Sequence, residues 1–167
     1  VGTWEVNRDY HPNGYRDVTE FLHERGIKFQ LWFEPERLQR SVCEWTEYIT
    51  ANPEDENALV DLGSDHVCDQ VIEKISSVIA FVGVDCYRQD FNINPLIIWR
   101  ANDLALEAGG AARRGATEVH HINNLWRFWD ALLERFPHLL IDDCAGGGHR
   151  IDIEMLSRSV PLWRSDY

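Results

Sequence analysis

Successive apolar runs in this chain end in carboxylates, and stretches with helical spacing separate them. Glu34 (with Glu36 just beyond) follows the run 27–33, Asp90 follows 83–89, Asp142 and Asp143 close 139–143, and Asp166 ends 161–166. Strand alternating with helix calls for right-handed crossovers and therefore a parallel sheet. Acids at the C-terminal ends of parallel strands share one rim, where α/β barrels keep their chemistry. A single Asp after a strand reads first as a cap for the next segment. Acids repeated along one rim make a site, centred on Asp90 and Asp166.

The remaining elements follow from local signals. A turn-rich entry, 7–14, leads to a helix over 18–25 with Val18, Phe21 and Leu22 on one face and Gly26 closing it. The spacing predicts a helix over 41–51, stopped at Asn52-Pro53. After the short apolar run Ala58-Leu59-Val60, Ser64 or Asp65 caps a helix whose apolar positions are Val67, Val71, Ile75, Val78 and Ile79. In the strand that ends at Asp90, Val84, Cys86 and Tyr87 suit a covered interior. Asn94-Pro95 opens an irregular segment through Glu107, and Gly109-Gly110 with Arg113-Arg114-Gly115 suggests an exposed, mobile insertion. Thr117 caps a helix that buries Ile122, Leu125, Trp126, Trp129, Leu132 and Leu133 and stops at Pro137. A glycine turn, Gly146-Gly147-Gly148, precedes a short helix over 149–159 and a last strand over 161–166.

Composition removes several functions. With 28 acidic against 16 basic residues, the net charge of −12 repels a phosphate backbone, so no nucleic acid is expected as a partner. No run approaches the roughly 18 apolar residues of a membrane span. The four cysteines form no C-x-x-C pair, and His120-His121 reads as a solvated or core-edge pair, so no metal site is expected. The glycine turn lacks a following G-K-[ST] and suits a sugar better than a phosphate. Seven tryptophans suit a sugar cleft as well as a core. The chain starts and stops as if cut from a larger protein, and nothing in it sets a cellular location.

Chemistry that needs paired carboxylates and no cofactor is glycoside hydrolysis. Asp90 would act as nucleophile, kept ionised by Arg88 on the same strand face. Asp166 would be the acid/base, holding its proton in a less polar pocket walled by Trp163. Two other readings compete. Glu34, Asp90 and Asp143 could hold a divalent metal in an enolase-type lyase. Alternatively, the chain could be a non-catalytic sugar-binding relic.

Particular motifs then carry a resemblance. Leu31-Trp32-Phe33-Glu34-Pro35-Glu36, Arg88-Gln89-Asp90-Phe91-Asn92, Cys144-Ala145-Gly146-Gly147-Gly148-His149-Arg150 and Trp163-Arg164-Ser165-Asp166 occur in that order. They resemble L-W-F-E-P-E, K-W-D-M-N, C-S-G-G-G-G-R and W-T-S-D of the retaining α-galactosidases of glycoside hydrolase family 36, the melibiase type. The resemblance implies a catalytic (β/α)8 TIM barrel, of which residues 1–167 hold roughly strands three to six. It implies Asp90 as nucleophile and Asp166 as acid/base on an α-galactoside or related oligosaccharide. Trp32, Cys144, Gly146 and Trp163 fall at positions lining the family's sugar pocket. Arg88 stands for a sugar-binding lysine, Gln89 for a tryptophan, Tyr167 for an asparagine, and Asn92 keeps the motif's own asparagine. The family's pocket arginine has no counterpart near Asp55, and its D-D-G-W segment would precede Val1. Half a barrel leaves sheet edges open, so the isolated chain is expected to self-associate into a homo-oligomer and to turn over little substrate.

Overall fold

The computed structural model describes residues 2–43, 45–108 and 114–167. In chain order the elements are α1 (Arg16–His23), β1 (Gln30–Phe33), β2 (Arg37–Gln39), β3 (Tyr48–Ile49), β4 (Asn57–Val60) and α2 (Asp65–Val82). They continue with β5 (Cys86–Gln89), α3 (Pro95–Glu107), α4 (Ala116–Arg135), β6 (Leu140–Asp143) and α5 (Ile153–Leu156). A 3-stranded parallel sheet in the order β1-β5-β6 is the frame. Its register is level: Phe33 lies beside Gln89, and Gln89 beside Asp143. Glu34, Asp90 and Cys144 therefore leave the sheet together at one rim.

The crossover helices cover one face of that sheet. Val67, Val71, Ile75 and Ile79 of α2 and Leu125, Phe128, Trp129 and Leu132 of α4 pack with Phe33, Tyr87 and Ile141 in one core. Each fully buried apolar side chain contributes roughly 1.5–3 kcal/mol. The ion pairs that also join α2 to α4, Arg135 with Glu73 and Arg127 with Asp69, are exposed and contribute at most about 1 kcal/mol each. Burial, not charge, docks these helices. Gly83 ends α2 at φ 78°, where the chain reverses into β5. No helix among the described residues is long and apolar enough to cross a membrane.

Several elements differ from the sequence expectation. Among the described residues of 41–51 no helix forms; β2 and β3 instead flank β4 in an antiparallel sheet. Arg40 pins the intervening loop, donating to the Tyr48 hydroxyl (3.1 Å), the Asp55 carbonyl (3.1 Å) and the Pro53 carbonyl. The segment 94–107 is helical rather than irregular, because Pro95 sits in the first turn and the Asn94 side chain accepts the Leu96 N–H at 3.2 Å. On α1, Val18 and Phe21 face solvent, with the Arg25 guanidinium 3.6 Å above the Phe21 ring. The inward contact there is Thr19, whose hydroxyl donates to the Val82 carbonyl at 2.6 Å. The helix expected over 149–159 shortens to α5, capped by the Asp152 carboxylate on Met155 N–H. The proposed mobile insertion, Gly109-Gly110 and Arg113, lies outside the described residues.

The last strand does not form. Val160 bridges to Asp142, but Pro161 has no N–H and the Leu162 N–H goes to the Asp142 carboxylate, so the ladder stops.

Thr117 does not cap α4; Gly115 holds that position. The capping acceptor is Asp103 of α3, which takes the Gly115 N–H (2.5 Å), the Thr117 N–H (3.0 Å) and the Thr117 hydroxyl (2.6 Å). Asp103→Ala should cost about 2 kcal/mol by leaving these donors unpaired, and Asp103→Asn should recover about half. Urea midpoints measure both, and an unchanged midpoint for the alanine variant would refute the cap.

Candidate active site

At the rim, the strand itself fixes Asp90: its N–H donates to the Phe33 carbonyl at 2.8 Å. One carboxylate oxygen accepts Trp32 Nε1–H at 3.0 Å and the other accepts the Phe91 N–H at 2.9 Å. The Asn92 side chain and the Cys144 thiol lie close enough to act on it as further donors. Burial pushes the Asp90 carboxyl up, but these donors outweigh burial and hold it below the ordinary value. The same proximity, added to burial, raises the Cys144 thiol, which stays protonated as a donor.

Arg88 is not the direct partner of Asp90. Its Nη1 pairs with Asp142 at 2.5 Å, and Asp142 lies opposite it in the β5–β6 register. Neutral donors therefore do the work expected of a cation. Asp166 departs from expectation too: it is exposed, without a less polar pocket, and accepts Trp163 Nε1–H at 2.7 Å. Each carboxylate is thus held by an indole N–H, and Trp32 and Trp163 are 46% and 53% exposed.

The glycine turn joins the two halves of the site. Gly146 and Gly147 have φ of 50° and 78°. A Cβ on Gly147 would lie 2.9 Å from the Asp166 nitrogen, and one on Gly148 2.5 Å from the Arg164 carbonyl oxygen. The segment carrying Asp166 packs on this turn, and Cys144 at the start of the turn touches Asp90.

Below the rim lies a buried polar layer. Glu36 accepts from Arg150 Nη1 (2.6 Å), Gln89 Nε2 (2.7 Å) and His121 Nε2 (2.8 Å). Arg150 Nη2 reaches Asp143 at 2.9 Å, and Gln89 Oε1 accepts the Tyr87 hydroxyl and Trp129 Nε1–H, each at 2.7 Å. Burial alone would raise Glu36, but Arg150 and His121 bring it down to about 2. Asp143 moves the other way, to about 6, because burial and the Glu36 charge outweigh its share of Arg150. Glu34 is likewise committed, to Arg37 at 2.5 Å and the Asn92 N–H at 2.7 Å. The metal reading loses force here, since Glu34 and Asp143, two of its three proposed ligands, are occupied by arginines.

Sequence reasoning did not single out His121, Arg150, Gln89 or Asp142 for these roles. Only Arg150 had a local signal, its place at the end of the glycine motif.

The Melibiase family model matches residues 1–167, and the chain belongs to that family. The α-galactosidase AgaA of Geobacillus stearothermophilus is 33% identical over 175 residues, covering 99% of this chain and 23% of that protein. A crystal structure of an AgaA variant in complex with stachyose superposes with a TM-score of 0.75 at 28% identity, over 99% of this chain and 24% of that one. The α-galactosidase structure from Lactobacillus brevis gives a TM-score of 0.77 at 23% identity, over 98% of this chain and 22% of that one, a likeness of fold. The chain spans about a quarter of the length of the relatives it matches.

Proposed function

We propose that residues 1–167 form strands three to six of a catalytic (β/α)8 barrel in a retaining glycoside hydrolase that removes terminal α-galactosyl units. Asp90 attacks the anomeric carbon while Asp166 gives its proton to the departing oxygen. Asp166 then takes a proton from water, whose oxygen displaces Asp90 from the sugar. The observation that carries this reading is Asp90, held ionised by neutral donors at the rim and tied through Cys144 to the turn that seats the Asp166 segment. The exposed rings of Trp32 and Trp163 suit sugar stacking. Arg88, Asn92, Cys144 and Gly146 would then supply contacts for sugar hydroxyls. Stachyose bound by the AgaA variant supports an oligosaccharide substrate with a terminal α-galactosyl group. The open edge of β1 and the outer side of the segment 160–166, which lies against β6, would continue into the remaining strands of the barrel.

The test is covalent trapping in the full-length protein. A 5-fluoro-α-galactosyl fluoride should inactivate it with one label on the peptide containing Asp90, and a chelator should leave turnover unchanged. A label on any other carboxylate, or turnover lost on chelation, would overturn the reading.

A further inference from the structure

We infer that Asp142 is a positioning residue for proton donation: its carboxylate clasps the segment carrying Asp166 to the strand carrying Asp90. The inference rests on the roles proposed above.

Asp142 is fully buried, and each of its contacts reaches a different part of the site. One oxygen accepts from Arg88 Nη1 on β5 at 2.5 Å and from Gln30 Nε2 on β1 at 2.9 Å. The other accepts the Leu162 N–H at 2.8 Å. A single carboxylate thus joins β1, β5, β6 and the segment 161–166.

The need for such a clasp follows from where the ladder ends. Val160 N–H donates to the Ile141 carbonyl at 2.9 Å, and the Asp143 N–H to the Val160 carbonyl at 3.2 Å. Pro161 then breaks the pattern, so the Leu162 N–H is the next backbone donor and it goes to Asp142. Beyond it, no backbone hydrogen bond among the described residues joins 163–166 to β6. Asp90, by contrast, is fixed by its own N–H on Phe33 and by its side-chain donors, none of which involves Asp142. Loosening the clasp should move Asp166 and leave Asp90 alone.

That asymmetry has a chemical signature. As the Asp90 oxygen bonds to the anomeric carbon, the glycosidic C–O bond breaks, and a sugar alkoxide leaves only if Asp166 protonates it. A nitrophenolate leaves without that proton. The ratio kcat/KM reports this first step for both substrates.

The experiment uses the full-length protein with 4-nitrophenyl α-galactoside and stachyose. The variants are Asp142→Ala and Leu162→Pro, which remove the same hydrogen bond from opposite ends, with Leu162→Ala keeping the N–H and Asp166→Asn as reference. Asp142→Ala and Leu162→Pro should each lose at least tenfold more kcat/KM on stachyose than on the nitrophenyl substrate, as should Asp166→Asn, while Leu162→Ala loses equally on both. Leu162→Pro alters an exposed side chain and leaves the buried carboxylate with Arg88, so it decides the matter if Asp142→Ala does not fold. Equal losses on both substrates for the clasp variants, with Asp166→Asn still discriminating, would overturn the inference. An Asp166→Asn variant that does not discriminate would overturn the assigned role of Asp166 and the clasp with it.

Discussion

Replacing Arg150 by methionine in the full-length protein is expected to lower stability by about 3–5 kcal/mol, a large share of the roughly 5–15 kcal/mol that holds a domain folded. Methionine keeps most of the apolar stem and removes the cation that Glu36 and Asp143 share. Glu36 would retain His121 and Gln89 as hydrogen-bond donors, but two buried carboxylates would face each other without the guanidinium. The pH dependence should steepen. With Arg150 present, the depressed Glu36 stabilises the fold above about pH 4.5, a contribution lost as pH falls toward 2, while Asp143, raised to about 6, already costs stability as pH rises from about 4 toward 6. Without Arg150, Glu36 joins Asp143 in favouring its protonated form, and the drop in stability from about pH 4 to 7 should be larger. Denaturant midpoints across that range are the measurement. A methionine variant within about 1 kcal/mol of the parent at pH 7 would show that the arginine is dispensable. Adding Glu36→Gln and Asp143→Asn to Arg150→Met should restore most of the loss, because neutral amides leave no charge to compensate.

What could be read from the chain alone divides by the range of the interaction that decides it. The frame was legible: α2 and α4 repeat apolar residues over 18 and 20 positions, long enough for periodicity to show. The small antiparallel sheet was not, because β3 has 2 residues and β2 has 3, too few to display a period, and both depend on pairing with β4. Asn94-Pro95 was read as a breaker, although the same dipeptide starts a helix when Asn caps and Pro takes the first turn. Within the site, Asp90 was visible as an acid at a strand end. The partner of Arg88 was not, since Asp142 lies 54 positions away and meets it only through the β5–β6 register. His121 and Glu36 are 85 positions apart, and no local pattern could have paired them. The missing last strand has the same origin, as its decisive hydrogen bond goes to a side chain of another strand.

The second large effect belongs to Gly148. Alanine there should reduce kcat about a hundredfold in the full-length protein with KM little changed. Gly146 and Gly147 have positive φ, so a side chain at either would strain the backbone and blur the reading; Gly148 has no such constraint. At Gly148 the effect is purely one of space: the added Cβ would stand 2.5 Å from the Arg164 carbonyl oxygen, where ordinary contact begins near 3.4 Å. Something must move by about 1 Å. The turn is the less able to yield, being closed by its own hydrogen bonds, Ala145 N–H to the Gly147 carbonyl at 3.2 Å and His149 N–H to the Ala145 carbonyl at 3.1 Å. The exposed segment 164–166 gives way instead and carries Asp166 with it. A displacement of about that size at a proton donor costs on the order of 10²-fold, whereas sugar held mainly through other side chains binds nearly as before. Steady-state kinetics on stachyose would check it. Full activity in Gly148→Ala would mean that the Asp166 segment and the turn do not meet as described, and that the acid is seated by other contacts.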